Sequence, residues 1–205
     1  MFVAILVLIH GLLQYAGESW QVWSLYALAF IPARFTDAAF PLIAGSEAWS
    51  FLTYAFLHGD WMHLVFNCLW LLIFGTVVAR YLGAARFLLL AIISAIFGAA
   101  TTLALHWGEA IVMIGASGAV SGLMAAAVPI MYGSVAPLSP AALLIHRRAL
   151  IFTAVWLVIT LFSGATGFTG NSFMGAGAIA WEAHIGGFVA GLLAFYLLQK
   201  RGVHS

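Results

Sequence analysis

The stretch IGASGAVSGL, residues 114–123, decides how this sequence is interpreted. It places Ser117 between Ala116 and Gly118, so almost no side chain surrounds the hydroxyl. Gly122 follows Gly118 four residues later, and glycines at this spacing lie on one face of a helix and let a second helix approach closely. The stretch therefore predicts the start of a tightly packed helix that carries a hydroxyl group in its first turn.

The composition indicates that lipid is the solvent of this chain. Of its 205 residues, 65% are hydrophobic and only 6% are charged, whereas a soluble domain has about 25% charged residues. The net charge of +1 gives no reason to expect a nucleic-acid partner, and the lone Cys68 permits no intrachain disulfide. No polar block is long enough for a second domain, so residues 1–205 are predicted to form a single membrane domain.

Apolar runs bounded by charges or turn residues predict an all-α polytopic membrane protein, a bundle of six transmembrane helices. The first run is short for a span and could instead be a signal peptide, but it lacks a basic start and a small-residue cleavage site. The six runs are residues 2–16, 60–79, 86–106, 116–132, 149–163 and 181–199.

The charged residues predict the orientation of this bundle. With six spans, nearly all basic residues fall on one side, which the positive-inside rule makes cytoplasmic, together with both termini. These residues are Arg80, Arg86, Arg147, Arg148, Lys200 and Arg201. All acidic residues fall on the outer side, and Arg34 is the exception among the basic ones. A short chain of this kind suits a bacterial inner membrane.

Two outer segments are longer than simple turns. Residues 17–59 are rich in aromatic side chains, and we expect them to lie in the membrane interface, partly as short amphipathic helices. Residues 164–180 are rich in glycine and have the length of a lid. The helix at 117–132 spans about 24 Å, less than a hydrocarbon core of about 30 Å. Residues 111–114 are therefore predicted to enter the membrane as non-helical chain.

Four polar side chains converge in the outer half of the predicted bundle. His63 and Asn67 are spaced i, i+4 on the second run, Ser117 opens the fourth, and His184 lies about one turn into the sixth. Packing or a local hydrogen bond explains any one of them alone. Because polar groups inside a membrane are costly, their convergence indicates a functional site that opens to the outer side.

The glycines indicate which of these side chains meet. His184 lies on the same helical stripe as Gly187 and Gly191, so docking this stripe on Gly118 and Gly122 brings the imidazole next to Ser117. Histidine is the usual base that activates a serine hydroxyl, and a helix N-terminus offers N–H groups to an oxyanion. Glu182 points to another face, which favours a dyad. A transporter or channel is disfavoured because the inner halves of the runs have almost no ionisable groups.

Three motifs then show a specific family resemblance. GASG at 115–118 resembles the GxSG of rhomboid intramembrane serine proteases, and AHIGGFVAG at 183–191 resembles their AHxxGxxxG. His58, His63 and Asn67 stand at the spacing of their HxxxxHxxxN. The motifs occur in the family's order.

The resemblance implies a rhomboid-like fold over roughly residues 49–199 and hydrolysis of peptide bonds in or near transmembrane segments of membrane-protein substrates. Ser117 would be the nucleophile and His184 its general base, with Asn67 and His63 stabilising the oxyanion. Residues 164–180 would be a cap, and no metal or cofactor is implied. Glycines expected to allow close packing at the site are Gly115, Gly118, Gly122, Gly187 and Gly191. The alternative is a catalytically silent rhomboid-like protein that binds transmembrane helices.

The sequence departs from the family pattern at three positions. Ser50 follows Trp49 where an arginine is frequent, and Ala79 stands where a glutamate is common. Ser121 replaces an aromatic residue that can stack on the histidine, so the sequence leaves open what orients His184. We expect His58 to tie a loop to its helix. The remaining histidines have no partner at helical spacing and are interpreted as structural or solvated: His10, His106, His146 and His204.

Overall fold

The computed structural model describes residues 1–37, 43–166 and 180–199, and helices occupy all six predicted stretches. The helices are α1 (Phe2–Ala16), α2 (Glu18–Leu28), α3 (Ser46–Thr53), α4 (Trp61–Trp70), α5 (Thr76–Leu82), α6 (Ala84–Leu105), α7 (Ser117–Tyr132), α8 (Pro140–Leu143), α9 (Arg147–Thr166) and α10 (Trp181–Leu198). A π-helical turn, Leu71–Gly75, joins α4 and α5 into one continuous helix.

Within the described residues, three helices are long and apolar enough to cross a membrane: Trp61–Leu82, Ala84–Leu105 and Trp181–Leu198. The helices α1 and α7 are apolar but shorter. Among the described residues, the only β-type pairing is an isolated bridge between Phe30 and Met113. The protein is therefore an all-helical membrane protein, and the number of six crossings stays a prediction.

Helix α7 lies at the centre of the bundle. Eleven of its 16 residues are buried, because α6 and α10 pack on it from two sides and the α4–α5 helix from a third. The buried residues are mostly small, including the run Ala125–Ala127, which has no exposed surface. Small side chains let the surrounding helices come close to α7.

Local signals set the ends of the helices that lead to the site. Asp60 caps α4, since its carboxylate accepts a hydrogen bond of 2.8 Å from the backbone N–H of His63. Gly83 has φ +84°, a left-handed conformation that favours glycine, and it separates α5 from α6. The cap places His63 in the first turn of α4, one turn before Asn67.

The outer segment 17–59 contains the expected short helices α2 and α3, but part of it is core rather than surface. Phe30 and Tyr54 have almost no exposed surface and pack against α6 in one apolar cluster. Aromatic side chains of this size stabilise most when they are fully buried, which explains why the chain turns inward here. The expected position of the rest of this segment in the membrane interface stays a prediction.

Arg34, the exception to the charge pattern, is buried within this outer segment. Its guanidinium donates hydrogen bonds to the carbonyl oxygens of Leu25, at 3.1 Å, and of Tyr26, so it caps the C-terminal end of α2.

The predicted non-helical stretch 111–114 lies in the connection between α6 and α7. Met113 is buried, and its backbone exchanges two hydrogen bonds with Phe30, at 2.9 and 3.0 Å. Irregular backbone is tolerated inside a membrane protein when protein groups satisfy it, as here.

Some predictions fall outside the described residues. The expected cap at 164–180 lies mostly on residues 167–179, and Lys200, Arg201 and His204 lie beyond residue 199. The cap and the orientation that the charge pattern indicates stay predictions.

Candidate active site

The helices α7 and α10 meet along four glycines, Gly118, Gly122, Gly187 and Gly191, which we call the glycine seam. A Cβ atom on Gly187 would collide with the backbone of Gly118, and one on Gly191 would lie 2.6 Å from the carbonyl carbon of Gly122. No side chain fits between the helices at these points. Gly118 faces Gly187 and Gly122 faces Gly191, so the two helices run parallel in a fixed register.

This register brings His184 to the level of Ser117. His184 lies one turn before Gly187, and Ser117 directly precedes Gly118. The carbonyl oxygen of Ala183 is 3.5 Å from the position of a Cβ on Gly118. No hydrogen bond joins Ser117 to His184 among the described contacts, and both side chains are partly buried. In enzymes without substrate, such bonds are often long and form only when substrate binds.

His63 lies next to Gly115, close to the Ser117 hydroxyl. A Cβ on Gly115 would be 2.7 Å from His63 Nε2 and 3.8 Å from Ser117 Oγ. Gly115 also has φ +117°, where an L-residue is strained. Both facts require glycine at this position, and they place the imidazole and the hydroxyl around the same point.

Asn67 lies one turn below His63 and is buried. Its side-chain amide donates a hydrogen bond of 2.9 Å to the carbonyl oxygen of His63. That bond uses one of the two amide N–H groups and fixes the side chain against its own helix.

The first turn of α7 offers backbone donors at Ser117. No side chain caps this helix, and the N–H of Val120 makes the first bond of the helical ladder, to Ala116 O at 2.9 Å. The N–H groups before Val120 therefore have no partner within the helix, as at any helix start. They can bind an anion that forms close to the hydroxyl.

Two residues from the outer segment support the loop in front of Ser117. The backbone carbonyl oxygen of Tyr54 accepts a hydrogen bond of 3.0 Å from the N–H of Gly115. The Tyr54 hydroxyl donates a hydrogen bond of 2.9 Å to the carbonyl oxygen of Ala95. His58 Nε2 accepts the N–H of Ala116 at 3.5 Å, which agrees with the expected tie between loop and helix. Burial lowers the pKa of His58 to about 3, so its imidazole is neutral and can accept this bond.

Sequence reasoning missed Tyr54 because nothing in its local pattern distinguishes it from other aromatic residues of the outer segment. His10 is buried, with its ring edge-to-face to Trp61 at 4.6 Å between centroids, in keeping with a structural role. His146 accepts the N–H of Ala149 and caps α9.

The expectation that His106 has no partner at helical spacing was wrong. Its Nδ1 lies 2.9 Å from a carboxylate oxygen of Glu109, three residues away, and its Nε2 lies 2.7 Å from Glu182 of α10. The i, i+3 spacing to Glu109 was visible in the sequence. The pairing with Glu182 spans 76 residues and was not.

The three departures from the motif pattern have local surroundings. Ser50 is fully buried beside Trp49, whose indole N–H donates to Ala27 O at 2.7 Å. Ala79 packs against a buried apolar cluster that includes Phe74, Val78 and Leu82. Ser121 is buried, and no described side chain makes a hydrogen bond to the ring of His184. Within the described residues, no group of three or more His, Cys, Asp or Glu side chains is arranged to hold a metal ion.

Comparisons with known proteins identify the family. A family model described as "Rhomboid domain" matches residues 45–201. The rhomboid protease GlpG of Serratia proteamaculans (strain 568) is 26% identical over 159 residues, covering 78% of this chain and 51% of its own length. The rhomboid protease GlpG of Yersinia pestis (strain Pestoides F) is 26% identical over 193 residues, 93% of this chain and 56% of its own. The chain thus spans about half the length of these relatives. Since the family model matches most of its residues, the chain belongs to the rhomboid family of intramembrane proteases.

Proposed function

We propose that this protein is a serine endopeptidase that hydrolyses peptide bonds in or near the transmembrane segments of membrane-protein substrates. Ser117 is the nucleophile and His184 the general base. Asn67, His63 and the N–H groups of the first turn of α7 stabilise the oxyanion. Ser117 and His184 act as a dyad, because Glu182 is bound to His106.

The glycine seam is the observation that carries this proposal. It fixes the register of α7 and α10 through backbone contacts, so the level of His184 relative to Ser117 does not depend on flexible side chains. The contact of His63 with Gly115 adds an imidazole N–H donor close to the hydroxyl. A nucleophile with a base and N–H donors close to it is the arrangement that acyl transfer needs.

The proposed reaction has two steps. Ser117 Oγ attacks the carbonyl carbon of the peptide bond while His184 takes the hydroxyl proton, and His184 then gives that proton to the departing amine. Water hydrolyses the resulting ester in the same way and regenerates Ser117. In each step the negative charge forms on the carbonyl oxygen, where the N–H donors bind it.

The proposal includes a location. The protein resides in a bacterial inner membrane with both termini in the cytoplasm, and the site opens to the outer side. Exposed tryptophans at one end of the helices, among them Trp61 and Trp107, support a membrane interface at that level, because indoles favour the membrane–water boundary.

The test is cleavage in liposomes of a single-span substrate that carries small residues near the outer end of its span. Ser117→Ala and His184→Ala are each expected to reduce kcat/KM by at least about 10³-fold, because either change removes proton transfer to or from the nucleophile. Ser163→Ala in α9 and His146→Ala at the other end of the bundle are the matched controls. A serine-directed fluorophosphonate should label Ser117 and should label it far more slowly in His184→Ala.

Two results would contradict the proposal. Cleavage that survives Ser117→Ala would exclude this nucleophile. Binding of several substrates without cleavage, together with no fluorophosphonate labelling, would favour the silent transmembrane-helix binder.

A further inference from the structure

His106, at the end of α6, lies between two carboxylates, and one of them, Glu182, joins it to the start of α10. Its Nε2 lies 2.7 Å from Glu182 and its Nδ1 lies 2.9 Å from Glu109. The Glu182 side chain is only 7% exposed, whereas that of Glu109 is 56% exposed. We call these three residues the outer clamp.

The geometry requires a charged histidine when both carboxylates are ionised. A carboxylate only accepts hydrogen bonds, and a neutral imidazole has a single N–H, whereas the imidazolium has two. Both ring nitrogens of His106 are within bonding distance of carboxylate oxygens, so only the imidazolium satisfies both contacts. Among the described residues, the charged groups that act on His106 are Glu182 from α10 and Glu109 from its own loop.

The pKa of His106 agrees with this geometry. The hydrogen bond to Glu182 raises it above the ordinary value of 6.5, burial opposes that shift, and Glu109 adds to it. His106 lies just beyond the last residue of α6, outside the candidate span.

Glu182 connects the clamp to the candidate site. It belongs to the first turn of α10 and precedes His184 by two residues. Between them, the carbonyl oxygen of Ala183 rests against Gly98 of α6, 2.9 Å from the position of a Cβ there, and against Gly118 of α7. A shift of Glu182 therefore moves the turn that carries His184 relative to Ser117.

We propose that His106 is a positioning residue whose imidazolium holds the first turn of α10 through Glu182, and thereby holds His184 at the level of Ser117. Its effect on proteolysis rests on the proposed function, but its effect on the structure does not. When His106 loses its proton, it keeps a single N–H for two carboxylates and no longer has the positive charge that attracts Glu182, so its hold on the first turn of α10 weakens.

The direction of the pH dependence follows from the raised pKa. The stability that the clamp contributes is fully present below about pH 6.5 and is lost as the pH rises through the folded-state pKa of His106. A general base acts in the opposite sense, because it must lose its proton to work. His106 is thus expected to set the alkaline limb of a bell-shaped activity profile.

The first experiment does not need activity. Histidine-labelled protein that carries Ser117→Ala is titrated by NMR in detergent. The pKa of His106 should lie above 6.5 and fall in Glu182→Gln, and the His184 resonance should shift as His106 titrates. Glu18→Gln, which removes an exposed carboxylate at the start of α2, is the matched control and should change neither. A His106 pKa at or below 6.5, or a His184 resonance that ignores its titration, would overturn the proposal.

The second experiment compares two substitutions of His106 across pH. His106→Lys keeps a positive charge to about pH 10, so the alkaline loss of stability and of cleavage should move upward by at least about one pH unit. His106→Gln has no titrating group, so its alkaline limb should disappear and its activity should stay at the low alkaline level of the unmodified protein. An unchanged alkaline limb in His106→Gln would refute the positioning role. The expected NMR result in a protein that cleaves nothing would support the clamp and count against the proposed protease.

Discussion

Helix α10 is held in two different ways along its length. In its middle, the glycine seam brings its backbone against the backbone of α7, with no side chain in between. At its start, the outer clamp joins Glu182 to His106 through ionisable side chains. The first contact depends on shape and the second on charge.

The difference has a functional meaning for the site between them. Shape contacts between backbones do not change with pH or salt, so the register of α7 and α10 is constant. A contact through an imidazolium and two carboxylates responds to both conditions. His184 belongs to the turn between the seam and the clamp. The seam therefore fixes its height along the helix axis, while the clamp can change the exact position of its side chain.

The largest expected effect comes from breaking the seam. In Gly187→Ala the new methyl group collides with the backbone of Gly118, and the two helices must separate. We expect a loss of about 3 kcal/mol in the free energy of unfolding, at the upper end of overpacking costs. The loss should be the same at pH 6 and pH 9, and thermal unfolding in detergent measures it.

Gly11→Ala is the control for this substitution. Gly11 is also a helical glycine, but nothing lies within 4 Å of its Cβ position. Alanine there should raise stability by about 0.5–1 kcal/mol because it lowers the entropy of the unfolded chain. Equal effects of the two substitutions would contradict the close packing of the seam.

The next effect separates backbone strain from contact with the site. Gly115→Ala places an L-residue at φ +117° and a methyl group 2.7 Å from the His63 imidazole. Gly17→Ala also places an L-residue at positive φ, +90°, but in open space. Each should lose about 1–3 kcal/mol of stability from the strained backbone, and unfolding in detergent measures this.

Only Gly115→Ala should also reduce cleavage well beyond its effect on stability, since it displaces His63 from the Ser117 hydroxyl. Cleavage by Gly115→Ala at the rate of Gly17→Ala would show that the His63 contact does not matter for the reaction.

The seam and the clamp also differ in how well the sequence predicts them. The positions of the helices and the shared stripe of His184, Gly187 and Gly191 follow from a helical period within one segment. The pairing of His106 with Glu182 does not, because it depends on how α6 and α10 come together in the folded chain. The same holds for Tyr54, whose burial between α6 and the 111–116 stretch is a consequence of tertiary packing. Short-range periodicity therefore predicted the glycine stripe, but not what holds the first turn of α10.

The smallest expected effect distinguishes the two arms of the clamp. Glu109→Gln removes an exposed carboxylate, and exposed ion pairs contribute only about 0.2–1 kcal/mol. At low salt we expect a loss of stability within that range, and at 1 M salt, where the Debye length is about 3 Å, the loss should vanish. Glu182→Gln should keep most of its larger effect at high salt, because the carboxylate it removes is buried and poorly screened. Unfolding of both variants at low and high salt measures the difference, and an equal salt response would mean that the buried arm does not dominate the clamp. Since only the buried arm is part of α10, only its loss should displace His184.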